Sequence, residues 1–192
     1  MKLAIVDLAY GNIGSIQLAF QRLGIDPVVT ADPEELAASD RIVLPGVGAA
    51  GHAMERIDAL GLRGPLKSLR QPGLGICLGM QLLFEHSEEA DTECLGIIAG
   101  EVRSIQPAPD RPVPHMGWSR LDVRDEGLGL RTGDYVYFAH GFAGDPGPAT
   151  MATASYGTEI PAVVRLGNWI GAQFHPERSA EPGSRFLTAF LQ

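Results

Sequence analysis

Leu74-Gly75-Ile76-Cys77-Leu78-Gly79-Met80-Gln81-Leu82-Leu83-Phe84 sets one cysteine between two glycines, after a short apolar run and before a helix-forming one. This is the layout of a nucleophile elbow, a sharp strand-to-helix turn that lifts one side chain clear of a sheet. Such a turn brings backbone close on both sides, and glycine at 75 and 79 removes the Cβ atoms that would obstruct it. The spacing predicts Cys77 exposed at a helix N-terminus, where free peptide N–H groups and the helix dipole favour a thiolate. Taken alone, the stretch also fits an inert buried cysteine in a glycine-containing strand.

A second segment supplies the partners. Trp169-Ile170-Gly171-Ala172-Gln173-Phe174-His175-Pro176-Glu177-Arg178-Ser179 reads as an apolar strand that delivers a histidine. Pro176 ends the ladder and biases His175 towards extended backbone, in which residues two apart face the same side. Glu177 can then reach back to the imidazole Nδ1. Cys77, His175 and Glu177 would be nucleophile, base and orienter, the set that covalent acyl transfer needs.

With these segments in hand, the chain resembles class I glutamine amidotransferases and, among them, the glutaminase subunits of imidazole glycerol phosphate synthases of histidine biosynthesis. The elbow and the His-Pro-Glu stretch carry the class. The subfamily rests on Asp7 with Tyr10-Gly11-Asn12, on Leu44-Pro45-Gly46-Val47-Gly48 and on Val113-Pro114-His115-Met116-Gly117-Trp118. The resemblance implies an oxyanion hole from backbone near Val47 and at Leu78. It also implies substrate contacts at Gly46, Gly48, Gln81, Glu89, Gly141 and Phe142. Tyr10, Asn12, Met116, Trp118, Tyr137 and Arg178 would face a cyclase subunit, a barrel of eight strands and helices that receives ammonia as the other half of a heterodimer. Four positions depart from the family pattern: Gly141-Phe142 follow His140 where Ser-Tyr is usual, Arg178 stands for lysine, and Ser119 for asparagine.

Composition fits one compact domain over residues 1–192. At 45% hydrophobic content, 192 residues can bury a core without metals or disulfides. Only Cys77 and Cys94 occur, which points to a reducing compartment, with Cys94 as a structural thiol. The first apolar run is short and reads as a strand rather than a leader, and no stretch approaches the roughly 20 apolar residues that span a bilayer, so a cytoplasmic chain is expected. A net charge of -8 without a basic run argues against nucleic acid. His52, His86 and His115 lack metal-ligand spacing, and neither metal nor cofactor is assigned.

Element order predicts an α/β fold with an open, mostly parallel sheet flanked by helices. Strands are expected over 3–7, 25–29 and 41–44, helices over 12–23 and 49–60, and a helix opening at Asp32-Pro33. Beyond Leu95 shorter strands take over, at 97–105, 135–138, 150–156, 162–166 and 169–174, before a last helix over 182–191.

Three rival readings remain in view. Gly46-Val47-Gly48-Ala49-Ala50-Gly51 matches a dinucleotide fingerprint, which would make a dehydrogenase, but no acid occurs in 66–76, near where a ribose hydroxyl would need one. A glutaminase serving pyridoxal phosphate synthesis is disfavoured by His115-Met116-Gly117-Trp118. A binding module without catalysis is disfavoured by the complete Cys, His and Glu set.

Overall fold

The computed structural model describes residues 1–9 and 12–192; Tyr10 and Gly11 lie outside them. In the first half, β1 (Leu3–Val6), α1 (Ile13–Arg22), β2 (Val28–Thr30), α2 (Pro33–Ala37), β3 (Arg41–Leu44), α3 (Ala50–Ala59), α4 (Arg63–Lys67), β4 (Gly73–Ile76) and α5 (Leu78–Gln81) follow one another. The short strands β5 (His86–Ser87), β6 (Thr92–Glu93) and β7 (Glu101–Ser104) come next. Then β8 (His115–Val123), β9 (Tyr135–His140), β10 (Phe142–Gly144), β11 (Thr150–Ser155), β12 (Glu159–Leu166) and β13 (Trp169–Ala172) lead to α6 (Ala180–Phe190).

Among the described residues one sheet has nine strands in the order β2-β1-β3-β4-β13-β12-β11-β8-β9. From β2 to β13 all neighbours are parallel, and from β13 to β9 all are antiparallel. The halves differ because their surroundings differ. Every residue of β1 is buried, with Leu3 and Ile5 in one core cluster and Ala4 and Val6 in the other, as expected of a parallel strand covered on both faces. In β8 burial alternates from His115 (buried) to Met116 (exposed) and onward, the mark of a strand with one wet face. A smaller sheet, β10-β7-β5-β6, lies beyond the elbow.

Several expected boundaries move for identifiable reasons. The second strand starts at Val28 instead of residue 25: the Ile25 N–H still closes α1 on the Phe20 carbonyl at 3.1 Å, and Pro27 has no N–H to give. Residues 97–100 are not strand, because the N–H groups of Ile97 and Ile98 both go to the Leu83 carbonyl at 2.8 Å. The helix opening at Asp32 is as expected, its carboxylate accepting the Glu34 N–H at 2.9 Å. No helix among the described residues is long and apolar enough to cross a membrane.

Candidate active site

The elbow is built by close backbone approach. A Cβ on Gly75 would come within 2.5 Å of the Gly79 carbonyl oxygen, and one on Gly79 would overlap the Leu44 carbonyl. Between them Cys77 adopts φ 53°, ψ -110°, a left-handed φ that a non-glycine residue holds only when its surroundings fix it. The fixing bonds run from the Cys77 N–H to the Ala172 carbonyl at 2.7 Å, and from the N–H groups of Met80 (3.0 Å) and Gln81 (3.2 Å) to the Cys77 carbonyl. Leu78 opens α5, where no helix carbonyl is available to its N–H.

Cys77 is not exposed as the sequence suggested: only 6% of its surface is open to solvent. Nor is α5 long enough to supply much dipole, being four residues, a single turn. What faces the sulfur instead is His175. Its backbone is extended (φ -96°, ψ 97°), and Pro176–Arg178 then coil into a 3-10 turn, so Glu177 reaches the imidazole around a turn and not along a strand. Glu177 Oε1 lies 2.9 Å from His175 Nδ1, which leaves Nε2 free for the Cys77 side of the site. Burial alone would hold the imidazole down, but its bonds to Cys77 and Glu177 outweigh that and raise the pKa from 6.5 to about 10. Ser179 clamps the turn: its hydroxyl donates to the His175 carbonyl at 2.7 Å and accepts the Tyr137 N–H at 2.9 Å, tying it to β9.

Cys77 and His175 open on a cavity of about 350 Å³. Val47, Gly48, Leu78, Gln81, Glu89, Gly141, Phe142, Asn12 and Arg178 line it. The structure thus brings together most of the residues singled out from the sequence. Gly46 sits beneath, packed so tightly that a Cβ there would lie 2.6 Å from the Gly79 nitrogen; the glycine-rich stretch is pressed onto the elbow. Met116 and Trp118, 65% and 51% exposed, border this region on β8. Trp118 pairs with Tyr137 across β8 and β9, and the Arg178 guanidinium stacks 4.5 Å from the Tyr137 ring. Tyr10 lies outside the described residues.

The Phe142 carbonyl organises one wall of the site. A carbonyl only accepts, so both His140 Nδ1 at 2.8 Å and Gln81 Nε2 at 2.7 Å must donate to it. His140 Nε2 is then the acceptor of its pair with His115 Nδ1 at 3.2 Å, and His115 Nε2 accepts from the Ser119 hydroxyl at 2.9 Å. Burial lowers both imidazoles to about 4, which keeps this one-way chain neutral. Glu89 has a second engagement, accepting the Ala50 N–H at the start of α3 at 2.7 Å. The sequence reading gave no role to Gln173, Ser179 or His140. Gln173 and Ser179 could have been flagged as polar residues flanking a histidine at the end of an apolar strand. Among the described residues no group of three or more His, Cys, Asp or Glu could hold a metal ion.

Comparison with known proteins identifies the family. The family described as glutamine amidotransferase class-I matches residues 5–192. The chain is 49% identical over 193 aligned residues to the imidazole glycerol phosphate synthase subunit HisH of Xanthomonas campestris pv. campestris, covering 99% of this chain and 96% of that one. It is 47% identical over 194 residues to the subunit of the same name from Xylella fastidiosa, covering 100% and 97%. Solved structures share the fold at lower identity: one titled as a glutamine amidotransferase (TM-score 0.79, 22% identical, 100% and 97% covered) and a Trypanosoma brucei CTPS glutaminase domain with bound acivicin (TM-score 0.67, 15% identical, 100% and 94% covered). A match over nearly the whole chain to the family, and at almost half identity to its HisH members, shows that the chain belongs to the class I glutamine amidotransferases, in the branch of the imidazole glycerol phosphate synthase HisH subunits.

Proposed function

We propose that residues 1–192 act as one glutaminase domain, in which Cys77, His175 and Glu177 hydrolyse glutamine to glutamate and ammonia. The observation that carries this reading is that His175, anchored by Glu177 Oε1 at 2.9 Å, lines the same cavity as Cys77 on its strained elbow. His175 takes the thiol proton, and the sulfur attacks the side-chain carboxamide carbon. The C–N bond then breaks as the His175 proton passes to the departing nitrogen, giving ammonia and a thioester. His175, now neutral, takes a proton from water, whose oxygen displaces the sulfur to give glutamate. N–H groups at Leu78 and near Val47 hold the oxyanion of each tetrahedral intermediate. At the far end, the Glu89 carboxylate and the Gln81 side-chain oxygen are acceptors for the α-ammonium, Gln81 having committed its nitrogen to Phe142. Pairing of Gly141-Phe142 beside β7 leaves the Phe142 N–H directed away from that strand, while its C=O is taken by His140 and Gln81, so the missing Ser-Tyr hydroxyls cost the backbone N–H contact nothing.

Ammonia passes to a cyclase barrel subunit, which closes the imidazole ring of imidazole glycerol phosphate and releases an aminoimidazole carboxamide ribotide in the cytoplasm. The exposed Met116 and Trp118 with Tyr137, Arg178 and Asn12 form the docking face beside the cavity mouth. The deciding experiment mixes the chain with the barrel subunit of a histidine operon and follows glutamate release and ring closure. Glutamine-dependent synthesis is expected to vanish in Cys77→Ala while synthesis from ammonium salts persists. Loss of both activities would contradict the division of labour.

A further inference from the structure

Gln173 is fully buried at 0% exposure, one residue past the end of β13, and no part of the mechanism above uses it. Its position follows from the sheet. The parallel register pairs Trp169 with Gly73 and Ala172 with Ile76, so the next step sets Gln173 beside Cys77. Two polar contacts besides His175 reach the sulfur: the Ala139 carbonyl at 3.9 Å and Gln173 Nε2, also at 3.9 Å. A carbonyl suits a thiol, whose proton it can accept, and repels a thiolate. The amide N–H is the contact that suits the charged form.

The direction of that amide is not arbitrary. The Phe142 carbonyl compels Gln81 to present its Nε2, and the second hydrogen of that nitrogen meets Gln173 at 3.0 Å, where only an oxygen can receive it. Gln173 therefore turns its Oε1 towards Gln81 and its Nε2 towards the sulfur. A flip would set two NH2 groups face to face.

We propose that Gln173 is a further catalytic residue of this enzyme, an amide donor aimed at the Cys77 sulfur that holds its negative charge once the thiol proton has passed to His175 and as the thioester breaks down, with Gln81 as the positioning residue that fixes its direction. The proposal rests on the reading of Cys77 as the nucleophile. In the thiolate the N–H bond to sulfur replaces the repulsion of the Ala139 carbonyl; when the sulfur is acylated, the donor loses its charged partner. Its contribution is thus largest before attack and after hydrolysis. The ionisable groups facing this region are His175 beyond β13, His140 at the end of β9, Glu89 after β5 and Arg178 in the 3-10 turn.

The test measures the rate of iodoacetamide alkylation of Cys77 against pH, with peptide mapping, in the full chain and in two variants. Gln173→Glu keeps the volume and the acceptor for Gln81 while removing the amide donor; Gln173→Leu removes both polar ends without adding charge. The expected result in both is an alkylation profile displaced to higher pH by about one unit, with glutaminase kcat lowered about tenfold or more and KM changed by less than about threefold, the cost of one lost hydrogen bond to a charged group. Either variant that folds suffices. Profiles and kcat within about twofold of the parent, or a rise in KM alone, would overturn the proposal and leave Gln173 a packing residue, with the nucleophile reading intact. Failure of the parent Cys77 to alkylate faster than Cys94 would instead remove the nucleophile reading, and the proposal with it.

Discussion

The two cysteines of this chain are almost equally buried, at 6% for Cys77 and 5% for Cys94, yet their surroundings oppose each other. Cys94 lies in an aliphatic cluster with its sulfur 3.7 Å from the Thr92 carbonyl, and burial pushes its thiol up to about 11 although the Arg63 guanidinium donates to its own carbonyl at 2.9 Å. Cys77 faces an imidazole that is itself anchored by a carboxylate. Exposure therefore does not tell the two thiols apart in this fold; what faces each sulfur does.

That contrast can be broken most severely by deleting each thiol. Cys77→Ala is expected to lower glutamine hydrolysis by about 10⁴-fold or more, and Cys94→Ala to leave it within about twofold, as read by glutamate release. Comparable losses would mean the wrong thiol had been chosen. Next in size is the anchor. Glu177→Gln keeps the shape but withdraws the charge opposite His175, and is expected to cost at least about tenfold less in kcat than His175→Ala, because members of such a set contribute unequally. Equal losses would require a direct chemical role for Glu177.

A third test concerns the neutral histidines. His115 and His140 are lowered to about 4 in the folded protein, against 6.5 ordinarily, so between these values the unfolded chain binds more protons than the folded one. Their contribution is present above pH 6.5 and is lost as pH falls towards 4, on the order of 3 kcal/mol for each ring. Urea unfolding at pH 7 and pH 4.5 should show a fall that His115→Phe reduces. An unchanged fall in that variant would assign acid lability elsewhere. The smallest expected effect belongs to the loop over the elbow. Gly48 has φ 87°, which proline cannot adopt. Binding of the barrel subunit with its ligand is expected to raise glutaminase turnover at least tenfold, about 1.4 kcal/mol in barrier, and Gly48→Pro to blunt that response with less effect on glutamine binding. Stopped assays with and without the barrel subunit decide it.

How much of this could be read from the sequence follows the range of the interactions. The elbow glycines, the cap at Asp32 and the alternation of buried strands with helices are local signals, and all are found in the fold. The route from Glu177 to His175 was misread as strand alternation because the 3-10 turn after Pro176 depends on Ser179 holding both β9 and the His175 carbonyl. β8 carried a recognised motif without being read as a strand, since its exposed Met116 and Trp118 interrupt the apolar pattern. The wall that joins Ser119, His115, His140, Phe142, Gln81 and Gln173 was illegible for a different reason. Its bonds from Gln81 to Phe142 and from Gln173 to Cys77 span 61 and 96 residues, and only strand register brings those partners together.

The central claim is that Cys77 alone is armed, and selective labelling tests it most directly. The native chain would be treated with a slight excess of a glutamine-like electrophile at neutral pH, and the adduct counted and mapped by mass spectrometry. The account predicts one adduct per chain, on Cys77, suppressed by excess glutamine and absent in His175→Ala. Labelling of Cys94 at a similar rate, or of Cys77 at an unchanged rate without His175, would contradict it.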